Sequence, residues 1–463
     1  MNLFDIVQRN IRRNFKEYIL YFVSLASSML IYFIFASLRY STQIKKEMVN
    51  NVMINSVLQS SKVILIIFIA IFIIYSTNFF IRKRKKEVGL YSLLGITKKQ
   101  IGTMLFCETM IMGGFALVVG ILIGSMSFKL FLELLMSLMK LNVPIHFELS
   151  IKAIIDTFIV FLSILLYTAW KNSRIIYKFP LIEMFQANHQ GERMPKGSVL
   201  RAYIGLILMG LGYILAGFFR EVVNIVRNPI DPMNPIMNPI INPIINPIMI
   251  PVFILFVVVF GTYFLFTSYT VIVLKKIRSK REIFYSGINI INISQLLYRV
   301  KGNAKLLATI AILSATALTA ISTVAAGYYV GQSETNGDFM QLYGVALFIG
   351  SFLGVIFVLA TGSIIYYKQL SEAYANQRYY ETIRKIGVTK KEVRKSISKQ
   401  VSFSFISPLI VGLVHSLFAI PIINNMPIYN IIIPILISSG AYCVIYFGYY
   451  VLTVYSYFKI VYK

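Results

Sequence analysis

The chain has 463 residues, of which 57% are hydrophobic and only 14% are charged, and its formal net charge is +27. Soluble domains have about 45–50% apolar and about 25% charged residues, so this composition excludes a water-soluble catalytic domain as the body of the chain. The basic residues fall in short clusters between apolar runs. This pattern indicates membrane topology, and no nucleic-acid partner is expected.

Ten apolar runs are long enough to cross a bilayer, since about 20 apolar residues span about 30 Å of hydrocarbon. They cover residues 18–38, 63–80, 102–123, 151–170, 203–219, 250–274, 306–328, 342–366, 401–420 and 431–451. We expect the third helix to continue to about Met139. At 1.5 Å per residue its length is then more than about 50 Å. Its outer end, with Lys129 and Glu133 four residues apart, then forms a stalk above the membrane. The sequence predicts an all-α, polytopic membrane protein with about ten transmembrane helices.

Lysine and arginine are dense at every second connection between the predicted spans. The clusters cover residues 9–16, 82–99, 171–178, 275–281 and 384–395, whereas the alternate connections hold only scattered cations. Because basic residues accumulate on the cytoplasmic side of membrane proteins, this distribution places both termini in the cytoplasm.

A short sequence occurs twice. Residues 95–101 read G-I-T-K-K-Q-I and residues 387–393 read G-V-T-K-K-E-V, at an offset of 292. Asn14-Phe15-Lys16 and Asn303-Ala304-Lys305 precede the first and seventh spans at a similar offset of 289. Such repeats are common in membrane transporters. We therefore predict two four-helix repeats, at residues 1–175 and 286–463. An intervening helix pair covers residues 176–285.

The intervening pair contains an unusual loop. Residues 228–251 repeat Asn-Pro-Ile-Ile or Asn-Pro-Ile-Met about every four residues. Proline removes a backbone donor and disfavours helix in the residue before it, so we predict an extended external loop. A low-complexity expansion without function is the favoured interpretation.

Catalytic motifs are missing from the sequence. There is no P-loop, H-E-x-x-H or C-x-x-C pattern, and the two cysteines and three histidines are far apart. We expect neither an enzyme nor a cofactor or metal site in this chain. His415, Glu108 and Asp156 are ionisable residues at apolar positions of the predicted spans. For His415, helix packing is favoured over a proton site, and for Glu108 and Asp156, solvation near the ends of spans is favoured over a functional role.

Residues 84–101 form the most informative motif, R-K-K-E-V-G-L-Y-S-L-L-G-I-T-K-K-Q-I. Three apolar residues recur at helical spacing: Val88, Tyr91 and Leu94. Glu87 lies near the N-terminus, where the helix dipole favours an acid, Gly95 is placed to end the helix and Thr97 to cap the next one. The motif predicts a short amphipathic helix in the membrane plane that turns sharply into a transmembrane helix. An ordinary interfacial helix is the alternative.

This motif resembles that of the FtsX-like permeases of ABC transporters, R-K-x-E-I-G-L-x-x-x-L-G-x-[TS]-x-x-x-I. The matching residues are Glu87, Gly89, Leu90, Leu94, Gly95, Thr97 and Ile101. The resemblance implies that this segment, with Lys98, is a coupling helix that docks on a separate ABC ATPase dimer, which binds the ATP. A looser copy at 380–393 implies the same role for Glu381, Gly387, Thr389 and Lys390.

The ten spans and residues 9–14 and 407–419 narrow the resemblance to Bce-type permeases of the bacterial plasma membrane. This implies release or transport of antimicrobial peptides such as bacitracin, with a lipid-linked cell-wall precursor, membrane lipids and a sensor histidine kinase as further partners. Bce-type permeases carry a large extracellular domain between spans seven and eight, and here that connection is only 330–340. A lipid or lipoprotein exporter, and a non-transporting regulator of a kinase or cell-wall hydrolase, are the alternatives.

Overall fold

A computed structural model describes residues 9, 15–47, 52–83, 85–141, 143–175, 197–219, 249–332, 337–424 and 428–462. All regular structure in these ranges is helical. In chain order the helices are α1 (Phe15–Tyr40), α2 (Thr42–Glu47), α3 (Val52–Lys83), α4 (Lys85–Leu93), α5 (Lys98–Leu138), α6 (Ile151–Ile175), α7 (Val199–Gly217), α8 (Met249–Phe264), a π-helical turn (Leu265–Tyr269), α9 (Thr270–Ser279), α10 (Arg281–Phe284), α11 (Asn289–Gly331), α12 (Gly337–Ala375), α13 (Gln377–Lys385), α14 (Lys390–Asn424) and α15 (Ile428–Val461).

Nine helices in the described ranges are long and apolar enough to cross a membrane. They are α1, α5, α6, α7, the continuous α8–α9 helix, α11, α12, α14 and α15. The predicted second span lies in α3, a helix of 32 residues whose described apolar part, Ser61–Ile74, is shorter than a full crossing. The prediction of an all-α, polytopic membrane protein is therefore confirmed.

Two expectations about connections have different outcomes. The Asn-Pro loop at 228–251 lies, apart from its last three residues, outside the described residues. The connection between spans seven and eight is short, as predicted, because α11 ends at Gly331 and α12 begins at Gly337. Five residues between the two helices leave no room for a folded domain.

The described chain divides into two compact units that group the helices differently from the two sequence repeats. The first unit comprises residues 1–190 and 331–371, so α12 belongs with α1–α6. The second unit comprises residues 191–330 and 372–463 and contains α7–α11 and α13–α15. The division of the sequence into two four-helix repeats remains a prediction.

Helix α1 is the centre of the first unit. Several of its large side chains are completely buried: Leu25, Met29, Tyr32 and Ile34. A helix that is apolar on all sides is expected to be surrounded by other helices. Helix α5 approaches it closely at Gly120, where an added Cβ would lie 2.8 Å from the Cβ of Met29. Small residues commonly allow such contacts between membrane helices.

The first unit also contains a partly buried ion pair. Lys62 Nζ lies 2.7 Å from Asp156 Oδ1, and the Tyr32 hydroxyl donates to Asp156 Oδ2 at 3.1 Å. The expectation that solvation accounts for Asp156 and Glu108 is therefore wrong. Asp156 is neutralised by a lysine from another helix, and Glu108 is only 3% exposed within α5. A carboxylate inside a membrane protein is stabilised by such partners.

Helix α5 has the length predicted for the third span. It contains 41 residues, which corresponds to about 60 Å. Near its C-terminal end Lys129 and Glu133 form an ion pair at 3.9 Å, with both side chains more than half exposed. Such an exposed pair contributes little to stability.

In the second unit His415 joins three helices. Its Nδ1 lies 2.7 Å from the Tyr213 hydroxyl and its Nε2 lies 2.7 Å from Thr262 Oγ1. Because Thr262 donates its own proton to the Val258 carbonyl, it accepts from Nε2, and Nδ1 then accepts from Tyr213. Both ring nitrogens of a neutral imidazole are thus satisfied, which supports the helix-packing interpretation of His415.

A second polar cluster lies next to α13. Arg299 Nη1 donates to Glu372 Oε2 at 3.4 Å and to Gln400 Oε1 at 3.0 Å. Asn303 Nδ2 donates to the other carboxylate oxygen of Glu372 at 2.6 Å. The side chains of the ion pair are each only 12% exposed. Since Glu372 lies near the end of α12, this cluster ties the start of α13 to α11 and α14.

Candidate functional site

The 84–101 motif folds as a short helix followed by a tight turn. Helix α4 ends at Leu93, and Gly95 has φ +86°, the left-handed conformation that favours glycine. The Gly95 N–H donates to the Ser92 carbonyl at 3.2 Å, and the Ile96 N–H donates to the Tyr91 carbonyl at 3.1 Å. These two bonds form a Schellman motif, which satisfies carbonyls at the end of α4. The prediction that Gly95 ends this helix is confirmed.

Thr97 begins the next helix as a capping box. Its backbone is extended, the Gln100 N–H donates to Thr97 Oγ1 at 3.4 Å, and the Thr97 N–H donates to Gln100 Oε1 at 3.0 Å. This reciprocal arrangement satisfies two donors at the start of α5. Ile101, one residue further, is completely buried. The predicted cap at Thr97 is thus confirmed, and the turn is fixed to the first unit through α5.

Three leucines make the exposed surface of α4 apolar. Leu90, Leu93 and Leu94 are 53%, 65% and 71% exposed, and their spacing of three and four residues places them on one side of the helix. Of the predicted apolar residues at helical spacing, Tyr91 is half-buried and Leu94 is exposed. The exposure of Leu93 was not predicted, since nothing in the sequence pattern distinguishes an exposed leucine from a buried one.

The second copy has the same backbone geometry. Gly387 has φ +99°, its N–H donates to the Arg384 carbonyl at 3.0 Å, and the Val388 N–H donates to the Ile383 carbonyl at 3.3 Å. Thr389 caps the next helix as Thr97 does, with a glutamate in the place of Gln100. The Thr389 N–H donates to Glu392 Oε2 at 2.9 Å, and the Glu392 N–H donates to Thr389 Oγ1 at 3.3 Å. Every one of these partners is shifted by the same 292 residues.

The surfaces of the two copies differ. At an offset of 292, Thr382 stands in the place of Leu90 and Lys385 in the place of Leu93, and both are exposed. Glu381 corresponds to Gly89 and not to Glu87, whose counterpart is Tyr379. Ile386 stands in the place of Leu94 and is 78% exposed. The first copy therefore exposes three apolar side chains, and the second exposes one beside polar and cationic ones.

The predicted site residues lie in two groups. One group lies in the first unit: Glu87, Gly89, Leu90, Leu94, Gly95, Thr97, Lys98 and Ile101. The other lies in the second unit: Glu381, Gly387, Thr389 and Lys390. Gly89 and Ile101 are buried and support the motif, Glu87 is half-buried, and the others are exposed. Within the described ranges, no three His, Cys, Asp or Glu side chains are close enough to hold a metal ion.

The chain matches one family twice. Residues 60–181 and 351–461, together about half of the chain, match the family described as FtsX-like permease C-terminal. Each matched stretch contains one copy of the helix–turn–helix motif described above.

Relatives were found among bacterial ABC transporter permeases. The chain is 29% identical over 325 residues to the ABC transporter permease YvcS of Bacillus subtilis, covering 70% of this chain and 47% of the relative. It is 27% identical over 330 residues to the bacitracin export permease protein BceB of Bacillus subtilis, covering 71% and 49%. The BceB protein of Halalkalibacterium halodurans is 25% identical over 330 residues, with the same coverage. The chain spans about half the length of these relatives.

Proposed function

Since this chain belongs to the FtsX-like permease family, we propose that it is the membrane-spanning subunit of an ABC transporter that couples a separate ATPase to work at the cell envelope. ATP is bound and hydrolysed by the ATPase dimer, and this chain is not itself an enzyme. Both termini lie in the cytoplasm of a bacterial plasma membrane, on the side where lysine and arginine are dense.

The geometry of the first motif carries this proposal. A docking helix must be held rigidly and must offer its partner a surface to bind. The Schellman turn and the capping box hold α4 at a defined angle to α5. The leucines at 90, 93 and 94 supply exposed apolar area, and a typical interface has such an apolar centre.

The same geometry suggests how force reaches the outer surface. Closure of the ATPase dimer displaces α4, and the turn at Gly95 and Thr97 passes this displacement to the start of α5. Because α5 is a continuous helix of 41 residues, about 60 Å long, movement at one end is carried to the other. The second motif, which exposes Ile386 alone in place of the three leucines, contributes less to docking in this proposal.

We infer the substrate class from the relatives. Two of them are bacitracin export permease proteins. We propose that this chain acts on antimicrobial peptides of the bacitracin type, by releasing them from a lipid-linked cell-wall precursor or by transporting them. Signalling to a membrane sensor histidine kinase is part of the same proposal.

Affinity purification tests the docking surface. Tagged chain from its native membranes is expected to retain a protein with a P-loop, identified by mass spectrometry, and to hydrolyse ATP in nanodiscs. Leu90→Asp or Glu87→Lys is expected to remove this protein while the variants still insert and elute as folded species. The matched control is Thr382→Asp, at the aligned position of the second motif, which is expected to retain it. Retention by all three variants would contradict the assignment of α4 as the docking helix.

Deletion of the chain in its source organism tests the substrate. Greater sensitivity to bacitracin-type peptides, restored by the intact chain but not by Leu90→Asp, is the expected result. Unchanged sensitivity with altered export of a lipid or lipoprotein would replace the peptide proposal and leave the coupling proposal standing.

A further inference from the structure

A cluster of cations surrounds an aromatic pair in the second unit. Phe458 and Tyr462 near the end of α15 stack with ring centroids 4.7 Å apart. The guanidinium of Arg384 lies 4.9 Å from the Tyr462 ring, and Lys390 Nζ lies 5.4 Å from Tyr462 and 5.8 Å from Phe458. The guanidinium of Arg394 lies 6.0 Å from Phe458. Three cations from different parts of the 384–394 segment thus converge on two rings.

Carboxylates do not neutralise this cluster. In the part of the chain that the structure describes, Arg384, Lys390 and Arg394 form no ion pair, although all three are exposed. The acid nearest in sequence, Glu392, is engaged in the Thr389 cap through one carboxylate oxygen. Contact with an aromatic ring orients a cation but leaves its N–H donors free, so the cluster can still bind an anion.

The cluster lies where two membrane-spanning helices end. One candidate span begins at Lys390 in α14 and the other ends at Val461 in α15. Tyrosine and other aromatic residues concentrate at the level of the lipid headgroups, and lysine and arginine extend toward the same level from helix ends. The anions most abundant at that level are the phosphates of acidic phospholipids.

The first motif does not have this arrangement. At an offset of 292, Arg384 corresponds to Ser92, Lys390 to Lys98 and Arg394 to Gly102, so only one of the three cations is present. The cluster is therefore not required by the helix–turn–helix geometry that the two copies share. It is a separate feature of the second copy.

We propose that Arg384, Lys390 and Arg394 around Phe458 and Tyr462 form a binding site for the headgroup of an anionic phospholipid. The phosphate accepts from the guanidinium and ammonium groups, and the acyl chains extend along the apolar surfaces of α14 and α15. The two motifs then have different partners: α4 binds a protein through leucines, and α13 with the start of α14 is held at the membrane surface by lipid. This lipid site does not depend on the proposed ATPase docking.

A single fluorophore at the site allows a direct test. The chain has one tryptophan, so Trp170→Phe combined with Tyr462→Trp places the sole indole within the cluster. This reporter is reconstituted into nanodiscs with phosphatidylglycerol or phosphatidylcholine brominated near the headgroup, and quenching is compared at equal mole fractions. Because a basic residue near an anionic surface is worth about fivefold in binding, we expect a preference of about fivefold or more for phosphatidylglycerol.

Two triple variants of the reporter distinguish lipid binding at this site from a general effect of positive charge. Arg384→Gln, Lys390→Gln and Arg394→Gln together are expected to bring the preference close to one. Lys275→Gln, Lys276→Gln and Arg281→Gln remove the same charge from exposed positions of the same unit and are expected to keep it. If the first triple variant does not fold, the reporter alone is measured from about 50 mM to 500 mM salt, which should reduce the preference through screening.

The proposal fails if phosphatidylglycerol and phosphatidylcholine quench equally, if the first triple variant keeps the preference, or if the control variant loses it. These measurements use the chain without any ATPase, so the docking proposal can fail without affecting them.

Discussion

Gly95 offers a sharp test of the first motif, because its φ of +86° demands a conformation that other residues rarely adopt. A Cβ at this position would meet no atom within 4 Å, so a substitution there causes no direct clash. The cost of Gly95→Val is therefore a backbone cost. Asparagine tolerates the left-handed region far better than a β-branched residue does, so Gly95→Asn is the matched variant.

The free-energy cost of Gly95→Val depends on whether the variant keeps the left-handed turn or leaves it. If it keeps the turn, the left-handed conformation costs about 1–2 kcal/mol, and more for a β-branched side chain. If it leaves that conformation, the bonds from Gly95 to Ser92 and from Ile96 to Tyr91 are lost, at about 1 kcal/mol each. The strain of about 2 kcal/mol thus cancels the roughly 2 kcal/mol of the two bonds. The equilibrium constant for the native turn falls about 30-fold, and its population falls to about half.

The assay is retention of the ATPase by tagged chain in detergent, over a range of ATPase concentrations. We expect Gly95→Val to weaken retention about twofold or more, Gly95→Asn to weaken it only slightly, and all variants to insert normally. Gly387→Val imposes the same strain on the second motif, where φ is +99° and space is also open. It is expected to affect retention less. Equal retention by the valine and asparagine variants at position 95 would refute the reasoning from backbone conformation.

Three further outcomes are expected. Deletion of residues 238–245 from the Asn-Pro loop should leave resistance unchanged, because loop length costs little free energy; complete loss of activity in normally expressed protein would make the loop a functional element. Glu372→Gln should lower the free energy of unfolding by about 3–5 kcal/mol in detergent, since it leaves Arg299 buried without its counter-charge. The control Glu133→Gln removes an exposed ion pair and should change the free energy of unfolding by less than about 1 kcal/mol. Similar losses in the two variants would contradict this account. A photoactivatable lipid-linked cell-wall precursor should label the outer ends of the spans in the purified chain alone, and labelling only after a second protein is added would assign recognition to that partner.

Much of the local structure was predictable from the sequence because it depends on residues close together in the chain. The length of the apolar runs predicted the membrane-spanning helices, and nine are present in the described ranges. Glycine at 95 and threonine at 97 predicted the end of α4 and the start of α5, because a Schellman turn and a capping box each involve fewer than seven residues. The repetition of this pattern at 387 and 389 was visible for the same reason.

Tertiary structure alone decided which of these residues are exposed and which polar groups meet. A leucine is apolar whether it is buried or exposed, and only the packing of the other helices leaves Leu90, Leu93 and Leu94 at the surface. Asp156 meets Lys62 across 94 residues of chain, and no local pattern pairs them. The grouping of α12 with α1–α6 likewise depends on how helices dock, since every span is apolar enough to pack against several others. Hydrophobicity determines that these helices enter a membrane, but close packing and the pairing of buried charges determine which of them become neighbours.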